Sequence, residues 1–204
     1  MSEPKVYRVV DAVAAAIIID NRARAEPETE ALVSDIFAED IPLPVEQAYE
    51  LINNIVQNHT IRILRGDKIS DFDKALVSVI QDPEAVSTYS WKLIAYAPKV
   101  WRYTQSTNTM IEAAGTSSYV GEVGKKVELT VRVLRCKYVN GPGYSFYSII
   151  AIDSEGNLIT FAHKRGLAMV EFNIKAKVKE HKIDPYCYNG QVTQLNYVKI
   201  VPNN

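Results

Sequence analysis

The chain has 204 residues, 47% hydrophobic and 23% charged, a composition that fits a globular protein of one large or two small domains. A domain of this length buries about 70% of its unfolded surface, so no metal or disulfide staple is required. The formal net charge of −1 hides a polarity: residues 1–116 carry 11 Lys/Arg against 17 Asp/Glu, a net −6, and residues 117–204 carry 12 against 7, a net +5.

No apolar run approaches the roughly 18 residues of a membrane span. The longest, Ala12 to Ile19, lies between Asp11 and Asp20. Lys5 and Arg8 before it and Ala23-Arg24-Ala25 after it imitate a secretory signal, but Asp11, Asp20 and Arg22 count against one. The run reads as the first helix of a cytoplasmic protein with no membrane partner. Cys136 and Cys187 give neither a disulfide framework nor a Cys-x-x-Cys pair, and they are expected to be free thiols.

The first half has helical spacing. Val9, Val13, Ala16 and Ile17 recur on one face until Pro27 forces a break. Ala31, Leu32, Asp35 and Ile36 suggest a second helix, ended by Ile41-Pro42-Leu43-Pro44. A third starts after Pro44, with Ala48, Leu51, Ile52, Ile55 and Val56 as its stripe and His59 capping its end. Ser70 and Asp73 resemble a capping box that opens a fourth, with Phe72, Leu76, Val77 and Ile80 as its apolar face. Glu84 to Tyr96 is a fifth, kinked or ended by Pro98, and a short sixth follows through Trp101 and Tyr103. Both tryptophans, Trp91 and Trp101, are expected inside the bundle.

The period changes near Thr109–Gly115. Val127, Leu129, Val131 and Val133 then alternate with Glu128, Thr130 and Arg132, which is a strand. Turns at Asn140-Gly141-Pro142-Gly143 and Ser154-Glu155-Gly156-Asn157 bound strands at Tyr144–Asp153 and Leu158–Ala162. Phe172, Ile174, Ala176 and Val178 make a fourth strand, and Gln191–Val201 a fifth. The inward face of Tyr144–Asp153 is undecided, because Phe146/Ile150 and Tyr147/Ile149 fit opposite registers that a bulge could reconcile. The expected fold is α+β: an acidic helical bundle, residues 1–113, followed by a basic five-stranded OB-like β-barrel, residues 117–204.

Barrels of that type bind along strands 2 and 3, between the loops joining strands 1–2 and 4–5. Those loops are expected at Lys137–Tyr144 and His181–Gly190. Lys137, Tyr138 and Tyr144 fall in the first, Lys182, Tyr186 and Tyr188 in the second, and Lys164 and Arg165 in the linker between strands 3 and 4. Aromatic rings stack bases and lysines neutralise phosphates, so these eight residues are the candidate single-stranded nucleic-acid site. Lys175, Lys177 and Lys179 read instead as solvated lysines guarding an edge strand.

Gly121-Glu122-Val123-Gly124-Lys125-Lys126 leads into the first strand. Asp153-x-x-Gly156-Asn157, Lys175-x-Lys177-Val178-Lys179-x-His181 and a Tyr-Asn-Gly turn follow. This series resembles an OB-like C-terminal domain of uncharacterised tailed-phage proteins that begin with a helical region. The resemblance covers roughly the last 85–90 residues and implies a fold more than a ligand. Joined to the charge and the aromatic loops, it points to a phage-type single-stranded nucleic-acid binder, DNA rather than RNA, in a host cytoplasm. The acidic bundle would meet a protein partner or a second copy. The competing reading is a barrel that docks a protein.

Enzyme motifs are missing from the chain. His59, His163 and His181 lack the spacing of zinc ligands, and no nucleophile elbow, dinucleotide loop or complete phosphate loop occurs. Asp67, Asp71 and Asp73 lack the glycine and closing glutamate of a calcium loop, and acids at a helix start are explained by its dipole. A non-catalytic protein without metal or cofactor is expected.

Overall fold

The computed structural model describes residues 8–25, 36, 39, 41–82 and 88–202, the side chains of 23–25, 88 and 89 excepted. The chain divides into two compact units, Met1–Arg102 and Tyr103–Asn204. That division lies inside a helix, ahead of the expected domain boundary at 113–117. It transfers only Glu112 between the halves, leaving net charges of −5 and +4.

In the first unit α1 is Val9–Ala25, α2 is Val45–Leu64 and α3 is Asp71–Gln81. Residues Ala12 to Ala16 of α1 are all buried, so this helix has apolar neighbours on nearly every side. An all-round apolar helix belongs in a core, which accounts for the run that imitates a signal. Among the described residues no helix is long and apolar enough to cross a membrane.

Pro44 precedes α2, which buries Ala48, Leu51 and Ile55 against α1. The helix continues past His59 to Leu64, so His59 caps nothing; it sits within the last turns and its Nε2 is buried with no hydrogen-bond partner among the described residues. Ser70 caps α3 as its spacing implies, its hydroxyl accepting from the Asp73 amide at 3.0 Å. Leu76, Val77 and Ile80 reach the core, whereas Phe72 stays partly exposed, edge-on to Tyr96. Of the helix expected at Ala31–Ile36, only Ile36 is described, helical and buried.

Helix α4 is Thr88–Thr116 and absorbs the expected fifth and sixth helices. The expected start at Glu84 lies outside the described residues. Pro98 stands inside α4 and does not end it. An interior proline removes one amide donor and costs about 3 kcal/mol. Burial of Leu93, Ile94 and Ala97 in the first unit offsets that cost. Trp91 and Trp101 are half-buried against the same core. Arg102, desolvated enough to lower its pKa, pairs with Asp20.

The second unit holds the end of α4 and five strands: β1 (Lys126–Gly141), β2 (Tyr144–Asp153), β3 (Leu158–His163), β4 (Glu171–Asp184) and β5 (Gly190–Val201). They hydrogen-bond in the order β1-β2-β3-β5-β4 and return to β1. All pairs are antiparallel except β3 with β5. β1 closes the ring because it is long enough to serve two partners. Lys126–Arg132 pair with β4, and Val131–Gly141 pair with β2.

Val131, Val133, Ile149, Ala151, Ile159, Phe161, Ile174, Ala176, Val178 and Leu195 fill the ring. Tyr147 and Ile149 therefore face inward on β2, while Ile150 and Ile152 face out. The bulge that sets this register lies in β1, at Leu134, rather than in β2. It turns Leu134 outward directly after the inward Val133.

Candidate nucleic-acid interface

Part of the outward surface of β2, β3 and β5 does not face solvent. Ile150, Ile152, Leu158 and Val192, with Leu134 and Cys187, pack under Met110, Ala113 and Ala114 of α4. Gly190 permits this approach, since a Cβ there would lie 2.8 Å from the Ala114 Cα and from a Leu158 methyl. Buried polar groups join the chain after α4 to the sheet. Ser117 Oγ donates to the Gln191 carbonyl at 2.6 Å and accepts from the Leu158 amide at 2.9 Å. Asn157 Oδ1 accepts from Ser118 N, and Asp153 Oδ1 accepts from Glu155 N and Asn157 N. The strand 2–3 face on which OB barrels bind oligonucleotides is thus occupied by the protein's own helix.

The two expected binding loops are mostly strand. Lys137, Tyr138 and Asn140 belong to β1, and only Pro142-Gly143 separates β1 from β2. The apolar alternation of β1 ends near Cys136, but its ladder continues to Gly141 opposite Tyr144, forming a projecting hairpin. Likewise His181 and Lys182 are in β4, followed by a one-turn helix at Pro185–Cys187 and by Tyr188 and Asn189, both at positive φ. The β1–β2 turn lies at the end of β2 and β3 marked by Tyr147↔His163, and the β4–β5 turn at the end marked by Leu158↔Val192.

The hairpin separates residues expected to act together. Tyr138, 53% exposed, points with Cys136 to the inner face and packs on Tyr147 at 5.1 Å between centroids. Tyr144 is on the opposite face, stacked on Phe146 at 6.0 Å and lying over Gly141, where any side chain would collide with it. Lys137 shares that outer side by alternation.

Lys164 and Arg165 follow β3 and come to the inner face. His163 Nδ1 lies 3.2 Å from the Arg165 amide, Gly166 borders the Tyr147 ring, and the Leu167 amide donates to Cys136 Sγ at 3.4 Å. Tyr138, Tyr147, Lys164 and Arg165 therefore gather at one end of the ring. Among the described residues neither Lys164, Arg165 nor Lys137 has a carboxylate partner.

At the other end Lys182 Nζ is held by Asp184 Oδ2 at 3.0 Å, which reduces its use for phosphate. Asp184 Oδ1 also caps the short helix by accepting from the Tyr186 amide. Tyr186 is 82% exposed and Tyr188 exposed. Cys187 is buried behind them, its thiol pushed up to about 11 by desolvation and then by Asp184. Both cysteines are free, Cys136 beside the ring's interior cluster and Cys187 in the cluster under α4.

Two residues of this region escape sequence reasoning. Tyr147 is central to the hairpin end, and its alternation with Ile149 is the one signal that marks it. Arg135 lies on the Tyr103 ring at 4.9 Å and donates to Thr107 Oγ1 at 3.3 Å; only the β1 bulge places it there. Asp71 and Asp73 pair with Lys74 and Arg62, and among the described residues no three His, Cys, Asp or Glu converge as metal ligands. Comparison of the chain with protein-family models, with curated proteins and with solved structures finds no match.

Proposed function

We propose that the protein is a non-catalytic single-stranded nucleic-acid binder, for DNA rather than RNA, in which the closed sheet acts as an OB-like barrel. Phage replication or recombination in a host cytoplasm is the setting that the resemblance suggests. The ring order, with β1 shared between two partners and a parallel β3–β5 pair, supports the barrel reading. One observation carries the ligand: the exposed Tyr138 ring packs on Tyr147, and the segment that follows Lys164 and Arg165 meets Tyr147 and Cys136 at the same end of the ring, neither Lys164 nor Arg165 having a carboxylate partner among the described residues. Tyr138 would stack a base while Lys164 and Arg165 meet phosphates, with Lys137 reaching them from the outer side of the hairpin. Tyr144, on the far face, and Lys182, Tyr186 and Tyr188, at the far end, would extend the path.

Titration with a 30-nucleotide single strand at about 50 and 200 mM salt tests this. Tyr138→Ala should weaken binding about tenfold, and Lys164→Glu with Arg165→Glu should also flatten the salt dependence. No affinity at the lower salt would overturn the proposal.

The helix lying over β2, β3 and β5 favours a second reading, in which the barrel docks a protein. Exposed Ile61, Ile63 and Leu64 at the end of α2 would give the acidic unit an apolar contact for a partner or a second copy. Retained partner binding after charge reversal at Lys137, Lys164 and Lys182 separates the readings.

A further inference from the structure

The outer surface of β1, β4 and β5 carries lysines in register. Ile174, Ala176 and Val178 point into the ring, so Lys175, Lys177 and Lys179 point out. Their ladder partners add Lys126, opposite Lys177, and Lys199, opposite Lys175. Like charges directly opposite one another oppose sheet formation, and here the arrangement occurs twice. Glu128 answers Lys175 at 2.9 Å. Among the described residues Lys126, Lys177, Lys179 and Lys199 have no carboxylate partner. Edge protection does not account for Lys175 and Lys177, because β4 is paired on both sides from Asn173 to Lys177, whereas Lys126, Lys179 and Lys199 stand on stretches of β1, β4 and β5 that pair on one side only.

A strained aromatic residue lies in the same surface. Between the pairs Lys175↔Lys199 and Lys177↔Asn196 the register shifts, and the displaced stretch of β5 contains Tyr197. Tyr197 has φ +52 and is 78% exposed. Left-handed backbone at such a bulge suits glycine, and strain of this kind persists where surrounding structure holds it for a use. A shallow groove of about 500 Å³, lined by Glu128, Thr130, Asn173, Lys175 and Pro202, runs alongside.

We propose that this face is a phosphate track for single-stranded nucleic acid, with Tyr197 as a stacking platform for a base. Alternate lysines on a strand stand about 6.6 Å apart, the order of the spacing between successive phosphates of an extended strand. An acidic polypeptide would also satisfy the lysines, but it gives no role to a ring held outward at positive φ. The inference rests on the nucleic-acid reading above and adds a second surface to the hairpin end.

The test uses the full-length chain, a fluorescent 30-nucleotide single strand and a salt series. Each phosphate neutralised by the protein adds about 0.7 to the log–log salt slope of single-strand binding. Lys177→Gln, Lys179→Gln and Lys199→Gln together should therefore lower that slope by about 2. Tyr197→Gly should weaken binding about tenfold without lowering the thermal midpoint, since glycine accepts the backbone angle. If the triple variant keeps wild-type affinity and slope while Lys164→Glu/Arg165→Glu abolishes binding, the lysine track is wrong and the hairpin-end reading stands. If wild type shows no affinity at about 50 mM salt, both are wrong. If polyglutamate binds as tightly as the strand and Tyr197→Gly changes neither, the face takes an acidic protein and the inference is overturned.

Discussion

The two outer faces of the closed sheet have opposite fates. On β2, β3 and β5 Ile150, Ile152, Leu158 and Val192 point outward, and the end of α4 packs on them. On β1, β4 and the end of β5 the outward residues include Lys126, Lys175, Lys177, Lys179 and Lys199, all exposed. One ladder closes both, so backbone pairing does not distinguish the faces. The difference lies entirely in the side chains at alternate positions. An apolar face can be satisfied inside the unit, whereas a like-charged face needs something from outside.

Mutations that break the covered face should have the largest effects. Met110→Ala empties a fully buried site between α4 and the sheet and should cost about 2–5 kcal/mol in chemical denaturation. Lys199→Ala on the open face should stay within about 0.5 kcal/mol. Equal losses at the two sites would contradict the contrast. Gly190→Ala tests the same packing by overfilling it. Its new methyl meets the Ala114 backbone, which cannot swing aside, so a loss of about 1–3 kcal/mol is expected.

The covered face explains what the sequence reveals and what it conceals. Ser70, Pro44 and the stripe Ala48–Leu51–Ile55 act locally, and local chemistry can be read from a single segment. Strands β2 and β5 are similarly legible from their turns and period. The last part of α4 is not: Thr104-Gln105-Ser106-Thr107-Asn108-Thr109 is polar and of low helix propensity, so the helix through Trp101 and Tyr103 is expected to be short. The segment is helical because Met110 and Ala113 find a partner in strands far along the chain. The hairpin is hidden for the reverse reason, since Lys137–Asn140 loses apolar alternation although its ladder continues. Lys175 and Lys177 of β4 read as edge protection because only ring closure, a pairing between distant segments, shows that β4 has no free edge at those positions; at Lys179 β4 pairs with β5 alone.

Cys187 reports on the covered face through pH. Its folded thiol keeps its proton until about pH 11, against an ordinary value of 9.0. The unfolded chain releases that proton first, so this contribution to stability is complete below pH 9.0 and is lost as pH climbs toward 11. Cys187→Ala should flatten the fall in unfolding free energy across that window relative to wild type. Parallel curves would mean that the thiol is not held away from water.

The smallest effect belongs to the open face and has the opposite sign. Lys177 stands opposite Lys126 in the ladder, and the two repel with no carboxylate answering either among the described residues. Lys177→Glu replaces that repulsion with a cross-strand pair and should raise stability by about 0.2–1 kcal/mol. Because exposed charge pairs are screened, the gain should shrink as salt rises. A substitution that stabilises the free protein while weakening its hold on a single strand shows a residue kept for binding at the expense of folding. If Lys177→Glu instead lowers the thermal midpoint at low salt, Lys177 supports the sheet, and the contrast between a self-satisfied face and an unsatisfied one loses its clearest example.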